Sequence, residues 1–586
     1  MTRKIPLYAL AALLVCLPAS ARAACQMTKI VEMPVTMDDL VPTVAGEVNG
    51  HEAHFIADSG AFFSTLTKTA AKRFEAPLKT GPNNLVVVGA GGMEKMQFTR
   101  ARDLTLLGHT YHDVDFMVGG DGALGRQVDG LLGQNFFQAA DAEFDLADGA
   151  IRLFKEQGCE GIAPTYWMAG KPEGIELMRI SSASDAKIRG EAWVNGHKIW
   201  VMFDTGAGAS IISLAAAEHL GLTPSTPGAE QAGLTGGIGR RRVQSWIVPV
   251  KSFQLAGEEI KNTKLRIADI VLPDVDMLVG ADFFLSHRVY VAYRRRELYF
   301  TYNGGPVFDL SIHAADGPSG QTVAAAPPGE APKDAAGFAR RGAAWSARKQ
   351  YAEALADYDR AIELEPTSAD HFYQRALIRE AQEKPDLALA DLDKALKLKP
   401  DHLHALMLRG ELLLDKHDLA AARADLAAAW KSEDDPDLGL EIATLHQDKD
   451  QFEDAVASFD QWLATHPDNV HEIYALNGRC WARALWNREL DKALVDCDRA
   501  VSLAPFSTDL RDSRALVWLR MNQLPRAIGD YNFALRGQSK SAWSLYGRGV
   551  AETRRGDTAR GQADIAEAEK LDPKTPERAR RLAILP

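Results

Sequence analysis

The sequence has few of the features expected of a nucleic-acid-binding or membrane-spanning protein. Lys and Arg together number 67, against 79 Asp and Glu, and no block of like charge stands out. An apolar run near the N-terminus, residues 5 to 17, is shorter than the ~20 residues that a membrane-spanning helix needs. The G-x-S-x-G motif of serine hydrolases is absent. We therefore expect no nucleic-acid partner and no stable membrane span in the mature chain.

The composition is that of a folded, multidomain protein. Hydrophobic residues make up 46% and charged residues 25% of the 586 positions, which excludes wholesale disorder. A chain of this length is too long for one core and should divide into about three or four domains.

The N-terminus has the layout of a signal peptide. Arg3 and Lys4 precede the apolar run, and Ala21-Arg22-Ala23 has the small-residue pattern of a cleavage site. We predict that residues 1–23 are removed and that the mature chain is periplasmic or secreted. An uncleaved anchor and a lipidated Cys25 are the alternatives.

Cysteine is scarce, and one of the five cysteines, Cys16, lies in the predicted signal peptide. The other four allow two bridges in an oxidising compartment. One possible pairing joins Cys25 to Cys159 and Cys480 to Cys497, but the sequence does not determine the connectivity. Free buried thiols are the alternative.

From about residue 27 to 303 the apolar pattern is short and strand-like, punctuated by Gly and Asn-Gly turns. This segment repeats internally. Val48-Asn49-Gly50-His51 recurs 146 residues later, and so does an apolar run that ends in Asp-Ser/Thr-Gly-Ala. Leu131-Leu132-Gly133 recurs 147 residues later as Leu278-Val279-Gly280. The sequence therefore predicts a duplicated all-β lobe.

Two aspartates, Asp58 and Asp204, occupy equivalent positions in the two copies. Two carboxyl groups about 3 Å apart cannot both ionise, so they share one proton and can act together as general base and general acid. A single Asp-Ser/Thr-Gly turn is most often an ordinary β-turn. Two copies with matching surroundings favour a shared site.

These motifs resemble those of the retropepsin-like aspartic proteases, which carry an Asp-Ser/Thr-Gly turn and a later apolar-apolar-Gly segment in each lobe. The resemblance covers about half of the chain and implies two lobes in one polypeptide. It makes Asp58 and Asp204 the catalytic pair, which would activate a water without cofactor or metal. It makes Ser59, Gly60, Thr205 and Gly206 supporting residues.

The resemblance also bears on pH dependence and on substrate closure. Pepsin-like enzymes place a hydroxyl three residues after each aspartate, where this chain has Ala61 and Ala207. Losing a donor raises a carboxyl pKa, so we expect an optimum nearer about pH 5 to 6 than about pH 2. The family's glycine-tipped flaps correspond to two stretches here, with these candidate residues: Gly89, Gly91, Gly92, Gly236 and Gly237.

Two other polar clusters give weaker signals. The stretch His51-Glu52-Ala53-His54 is one residue short of a zinc motif and lies on a predicted strand, so we expect no metal there. The run Arg294-Arg295-Arg296 is interpreted as a solvated strand end.

From residue 335 onward the pattern is helical, with a 34-residue spacing that resembles tetratricopeptide (TPR) repeats. The first unit places the family's small, aromatic and proline positions at Gly342, Ala354, Tyr358, Ala361 and Pro366. We predict about seven units with an end cap and one extra residue near Cys480 in the fifth. The Lys/Asn set of the known carboxylate clamp is not apparent. The resemblance implies a protein partner.

The predicted architecture is therefore a signal peptide (1–23), two retropepsin-like lobes (24–165 and 166–303), a linker (304–334) and an all-α TPR solenoid (335–586). The predicted function is that of an exported aspartic endopeptidase whose repeats recruit a protein partner or a peptide substrate. The alternative is an inactive peptide-binding scaffold built on protease-like lobes.

Overall fold

The computed structural model describes fifteen stretches of the chain: residues 25–38, 40–79, 86–89, 92–119, 128–159, 162–164, 166–168, 175–179, 187–235, 243–304, 307–308, 332–432, 436–466, 471–537 and 541–586. The predicted signal peptide and most of the predicted linker lie outside them. The chain divides into two compact units, Met1–Pro366 and Thr367–Pro586, which are described separately. Among the described residues, no helix is both long and apolar enough to cross a membrane.

The described part of the first lobe is built mainly of strands, with two short α-helices, α1 (Lys68–Arg73) and α2 (Gln134–Phe137), and a 3-10 turn at Leu146–Asp148. Its strands are β1 (Gln26–Pro34), β2 (Thr36–Asp38), β3 (Val41–Val48), β4 (His51–Ala57), β5 (Thr65–Leu66), β6 (Leu78–Lys79), β7 (Val86–Gly89), β8 (Gly92–Lys95), β9 (Gln97–Leu106), β10 (His109–Val118), β11 (Gly130–Leu132), β12 (Asp141–Asp145) and β13 (Ala150–Gln157).

The second lobe repeats this plan, again with two short helices, α3 (Leu214–His219) and α4 (Ala281–Ser286). Its strands are β14 (Ile175–Arg179), β15 (Arg189–Val194), β16 (His197–Phe203), β17 (Ile211–Ser213), β18 (Glu230–Thr235), β19 (Val243–Leu255), β20 (Glu258–Ala268), β21 (Met277–Val279), β22 (His287–Ala292) and β23 (Glu297–Tyr302).

Each lobe has its own sheet. The order is β2-β3-β4-β11-β5-β10-β9-β6 in the first lobe and β15-β16-β21-β17-β20-β19-β18 in the second. Most strands pair with an antiparallel neighbour, as hairpin-rich sequences do. The exceptions include β4 with β11 and β16 with β21, which run parallel. β11 and β21 are buried at every residue, so their unbroken apolar runs suit a central position.

A third sheet joins the two lobes, in the order β1-β13-β12-β22-β23-β14. At its centre β12 of the first lobe pairs antiparallel with β22 of the second, and Glu143 lies opposite Tyr290. The hairpins β12–β13 and β22–β23 therefore flank an approximate two-fold axis. Because the lobes share main-chain hydrogen bonds, the positions of their aspartate loops are linked.

Buried charges reinforce this shared sheet. The Arg152 guanidinium contacts Glu143 at 2.6 Å and Asp145 at 2.8 Å, and Arg288 from the second lobe also contacts Asp145. The prediction that the run Arg294-Arg295-Arg296 is solvated is wrong for Arg295. Its guanidinium contacts Glu156 of the first lobe at 3.1 Å and donates to the Cys159 carbonyl.

Both cysteine pairs that the sequence allowed form disulfides. Cys25 is bonded to Cys159, which joins the start of the described chain to the end of the first lobe. Cys480 is bonded to Cys497 between two neighbouring helices. Both bridges suit the oxidising compartment that the predicted signal peptide implies.

The C-terminal part is entirely helical among the described residues, which confirms the predicted fold class. Its helices are α5 (Ala335–Ala347), α6 (Tyr351–Leu364), α7 (Ala369–Ala381), α8 (Pro385–Leu398), α9 (Leu403–Asp415), α10 (Leu419–Ser432), α11 (Pro436–Asp448), α12 (Phe452–Thr465), α13 (Glu472–Trp486), α14 (Leu490–Leu503), α15 (Thr508–Arg520), α16 (Leu524–Gly537), α17 (Ala542–Arg555), α18 (Thr558–Leu571) and α19 (Thr575–Arg581). The pair α5–α6 belongs to the first compact unit and the remaining helices to the second. The exact domain boundaries stay predictions.

The small residues of the repeats lie where paired helices touch. Ala354, Ala388 and Ala422 are fully buried at equivalent positions of successive second helices. A Cβ at Gly410 would lie 2.8 Å from a Leu426 side-chain carbon, so glycine permits this approach. These contacts explain why the 34-residue pattern of small residues is visible in the sequence.

A ladder of arginine–aspartate pairs also runs through the repeats, and the sequence analysis missed it. Six first helices each carry an arginine that binds an aspartate of the following helix, in the pairs Arg341–Asp357, Arg375–Asp391, Arg409–Asp425, Arg479–Asp496, Arg514–Asp530 and Arg548–Asp564. Five pairs are 16 residues apart, whereas the pair in the fifth repeat is 17 apart. The extra residue predicted near Cys480 therefore lies between these two partners.

Candidate active site

The two aspartates lie at the ends of equivalent strands. Asp58 follows β4, and its backbone N–H donates to the Leu132 carbonyl of β11 at 2.9 Å. Asp204 follows β16, and its N–H donates to the Val279 carbonyl of β21 at 2.9 Å. The later apolar-apolar-Gly segment of each lobe thus supports the backbone that carries the aspartate.

The carboxyl groups of Asp58 and Asp204 lie within hydrogen-bonding distance of each other. Each also lies against the glycine of the opposite loop. A Cβ at Gly60 would be 2.3 Å from Cγ of Asp204, and a Cβ at Gly206 would be 2.5 Å from Cγ of Asp58. Any larger residue at either glycine would push the carboxyl groups apart, so the approximate two-fold requires glycine twice.

Backbone donors orient both carboxyl groups. Oδ1 of Asp58 accepts from the N–H of Gly60 at 2.8 Å and from the N–H of Ala61 at 2.7 Å. Oδ1 of Asp204 accepts from Gly206 at 3.0 Å and from Ala207 at 3.2 Å. Hydrogen bonds to a carboxylate stabilise its ionised form, so the shorter set favours the negative charge on Asp58.

The residues after the aspartates bind each other across the lobe boundary. The Thr205 hydroxyl accepts from the Ser59 N–H at 2.9 Å and donates to the Ala57 carbonyl at 2.5 Å. The Ser59 hydroxyl accepts from the Thr205 N–H at 3.0 Å and donates to the Phe203 carbonyl at 3.1 Å. Ser59 and Thr205 are fully buried, so these bonds are shielded from water.

The environment raises the pKa of both aspartates. Burial is the largest cause for Asp58, partly offset by its bonds from Ala61 and Gly60 and by Asp204. Burial, followed by the negative charge of Asp58, holds the pKa of Asp204 well above its ordinary value. The pair therefore retains one proton at pH values where isolated carboxyl groups have lost theirs. The site can accept a proton at one carboxyl group and donate one from the other.

Comparison with known families agrees with this geometry. Residues 44–136 and 190–283 each match the aspartyl protease family, one match per lobe. The lobes are aspartyl protease-like. Residues 373–437 match the tetratricopeptide repeat family. The suspected resemblance is confirmed for both parts, whereas the catalytic role of the residues stays a prediction.

Individual relatives resemble the helical repeats. The TPR repeat-containing thioredoxin TDX of Arabidopsis thaliana is 36% identical over 89 residues, which is 15% of this chain and only 23% of that protein. A tetratricopeptide repeat protein of Parabacteroides merdae is 17% identical, with a TM-score of 0.35 over 42% of this chain and 96% of its own. The C-terminal part of a TPR protein from Cytophaga hutchinsonii is also 17% identical, with a TM-score of 0.32 over 42% and 98%.

In each lobe a serine binds the second residue after the apolar-apolar-Gly segment. In the first lobe Oδ1 of Asn135 accepts from the Ser64 N–H at 2.7 Å and from its hydroxyl at 3.0 Å. In the second lobe Asp282 accepts from Ser210 in the same way, at 2.9 Å and 2.6 Å. Burial raises the pKa of Asp282 to about 6. Aligning the two copies of the sequence would have paired Asn135 with Asp282.

Gln134 breaks the symmetry of the site, and the sequence analysis did not single it out. It is fully buried. Its amide nitrogen donates to the Ser59 carbonyl at 2.5 Å, and its amide oxygen accepts from the Tyr293 hydroxyl at 2.8 Å. The equivalent residue of the second lobe is Ala281, which has no polar side chain. Among the described residues, the Asp58 loop therefore has a supporting side-chain amide at this position, whereas the Asp204 loop has none.

The predicted flaps lie partly within the described residues. β7 and β8 form a hairpin in which Gly89 pairs with Gly92. In the second lobe β18 and β19 form a hairpin whose innermost described pair is Thr235 and Val243. Gly91, Gly236 and Gly237 lie outside the described residues. A closing role for these hairpins stays a prediction.

The described residues hold no group of three or more His, Cys, Asp or Glu side chains that could bind a metal ion. The proton chemistry above uses only the two carboxyl groups and the backbone around them.

Proposed function

We propose that this protein is an aspartic endopeptidase. A water held between Asp58 and Asp204 would lose a proton to the ionised carboxylate as it attacks a peptide carbonyl carbon. The protonated carboxyl group would donate a hydrogen bond to the carbonyl oxygen. The proton taken from the water then passes to the amine nitrogen as the C–N bond breaks, and no covalent intermediate forms. The shorter backbone bonds to Asp58 favour Asp58 as the base and Asp204 as the acid.

The observation that carries this proposal is the reciprocal contact of each carboxyl group with the glycine of the opposite loop. A scaffold that only binds peptides would not need two buried carboxyl groups in contact, because their repulsion and burial work against stability. The alternative of an inactive scaffold is therefore less well supported, although it shares the same fold.

We further propose that the chain is exported, since its N-terminus has the layout of a signal peptide and its two disulfides suit an oxidising compartment. The helical repeats would recruit a protein partner or a substrate, as repeat surfaces of this kind commonly do.

The decisive experiment is cleavage of a peptide library by the full-length protein and by D58N and D204N. Asparagine keeps the shape of aspartate but cannot accept the proton, so we expect each variant to lose at least about a thousandfold in rate. D276N is the matched control, because Asp276 lies in the second lobe and accepts the Trp200 N–H away from the carboxyl pair. Undiminished cleavage by D58N or D204N would refute the mechanism. No cleavage by the unmodified protein between pH 3 and 8 would favour the scaffold.

A further inference from the structure

A groove in the second compact unit has a chemistry that the family resemblance does not specify. It has a volume of about 310 Å³ and is lined by residues of α11, α13, α15, α16 and α17, together with Ser541 just before α17. Ligand sites commonly have volumes from about 300 Å³ upward, which suits a long side chain and its backbone. The lining crosses four successive repeats, so an extended chain could follow it.

The charge of this groove has one sign. Among the described residues that line it are two carboxylates, Asp509 and Asp512, and no Lys, Arg or His. Asp512 accepts a hydrogen bond from the Ser544 hydroxyl and makes no ion pair with any described residue. Burial, and to a lesser extent the neighbouring Asp509, raise the pKa of Asp512 to about 6. A bound cation would lower this pKa again because it stabilises the ionised carboxylate.

Two amides of the lining add unmet hydrogen-bonding capacity. Oδ1 of Asn477 and Oε1 of Gln447 are buried and have no hydrogen-bond partner among the described residues. Buried acceptors of this kind are rare in native proteins and call for a donor. The half-buried ring of Trp481, packed edge-on against Trp543 at 6.0 Å, adds an aromatic face suited to a cation.

We propose that this groove binds an extended peptide segment through a lysine or arginine side chain, whose cation lies between Asp509 and Asp512 beside Trp481. The hydroxyl oxygens of Thr508 and Ser513, whose protons go to the carboxylate and the carbonyl of Asp509, would accept N–H groups of the peptide backbone. A peptide fits better than a small cation because the polar lining continues over four repeats. The charge preference is opposite to that of a carboxylate clamp, which needs cationic residues.

This inference rests on the proposed recruiting role of the repeats but not on peptide cleavage. Binding is therefore measured with the full-length D58N variant, which should leave peptides intact. The probes are three pools of fluorescein-labelled decapeptides with flanks randomised among Ala, Ser, Gly and Leu. Their central residue is fixed as Arg, Leu or Glu. We expect the Arg pool to bind at least about tenfold more tightly than the other two.

In the same background, D512N should weaken binding of the Arg pool by about tenfold, and D509N should weaken it by a smaller factor because Asp509 is more exposed. D491N is the matched control, since Asp491 is an exposed residue of α14 outside the groove. Circular dichroism of each variant tests whether the fold is retained. If D512N does not fold, the test rests on D509N, because Asp509 is exposed and its substitution should not disturb the core.

Equal binding of the three pools would overturn the proposal, as would an Arg-pool affinity that neither D512N nor D509N changes. Competition by free argininamide as strong as by the Arg pool would identify a small-cation site and would also overturn it. If the unmodified protein does not cleave peptides, these binding results are unaffected. Failure of the peptide-binding proposal can therefore be distinguished from failure of the endopeptidase proposal.

Discussion

Ser59 and Thr205 exchange two hydrogen bonds across the boundary between the lobes, each hydroxyl accepting the backbone N–H of the other residue. Both hydroxyls also donate to carbonyls of the opposite lobe, those of Ala57 and Phe203. Four buried bonds thus hold the loops that carry the two aspartates, and lobe association and carboxyl geometry depend on the same residues.

Removing either hydroxyl should weaken both stability and activity. S59A and T205V each leave buried backbone groups without a partner, which costs about 1–3 kcal/mol. Because the residues form one network, the loss in the double variant should be less than the sum of the two single losses. Hydrogen exchange of peptides from both lobes measures the stability, with T28V on the exposed edge of β1 as control. Additive losses would show that the two residues act independently.

The pH dependence of cleavage should respond to a hydroxyl added beside Asp204. Burial raises the pKa of both aspartates, so the singly protonated pair persists to mildly acidic pH. In A207T a new donor would stabilise the ionised form and lower the pKa, moving the alkaline limb of the pH–rate profile down by about half to one unit. A207V, which has the same shape without the hydroxyl, should keep the original limb. A matching shift in both variants would attribute the effect to bulk.

Asp282 should make the second lobe more stable at mildly acidic than at neutral pH. Its pKa in the folded protein is about 6, above the ordinary value of 3.8. Between these values the unfolded chain loses its proton while the folded chain retains it, so the stability contribution falls as pH rises. D282N should reduce this dependence, because Asn135 makes equivalent bonds in the first lobe without a group that titrates. The raised pKa of Asp204 leaves a smaller fall of the same sign. Hydrogen exchange of the second lobe at pH 4.5 and 7.5 tests this.

The reciprocal variant provides the control. N135D places a carboxyl group in the equivalent buried position of the first lobe, so the loss of protection at neutral pH should become larger in that lobe than in the unmodified protein. If D282N leaves the pH dependence of the second lobe unchanged, another buried carboxyl group must be responsible.

The arginine ladder should contribute to the stability of the repeats. Arg409 binds Asp425 in its own repeat through two bonds of 2.7 Å and Asp393 of the preceding repeat at 2.7 Å. R409A leaves the buried Asp425 without its cation and should cost about 1–3 kcal/mol, seen as faster exchange in α9 and α10. R360A removes an exposed pair with Glu363 and should cost no more than about 0.5 kcal/mol. Similar effects in both variants would contradict a structural role for the ladder.

The fourth repeat shows what can replace such a pair. Ile442 and Ser458 are the seventh residues of their helices, where most of the other repeats have the arginine and the aspartate, and Ile442 is buried in an apolar cluster. A buried apolar residue can thus replace the arginine of the ion pair when a small polar residue replaces the aspartate, as expected when the desolvation of charges is costly. The repeats were assigned from their small residues, so these charged pairs were not found. The regular spacing of the arginines is nevertheless visible in the sequence.

The sequence by itself determined the duplicated lobes, the helical repeats and the positions of the two aspartates. These features depend on local patterns: alternating apolar residues, Asp-Ser/Thr-Gly turns and a 34-residue spacing of small residues. The cysteines limited the disulfides to a few pairings, and the tertiary structure chose among them because bonding requires close approach in space.

Only the tertiary structure decided how the two halves of the site differ. Gln134 supports the Asp58 loop by bonding Ser59 and Tyr293, which are distant in sequence. Arg295, which the sequence predicted to be solvated, binds Glu156 of the first lobe. The raised pKa values of Asp58 and Asp204 likewise come from burial and from each other. These contacts and pKa shifts depend on which surfaces come together when the lobes associate, and a local sequence pattern does not specify those surfaces.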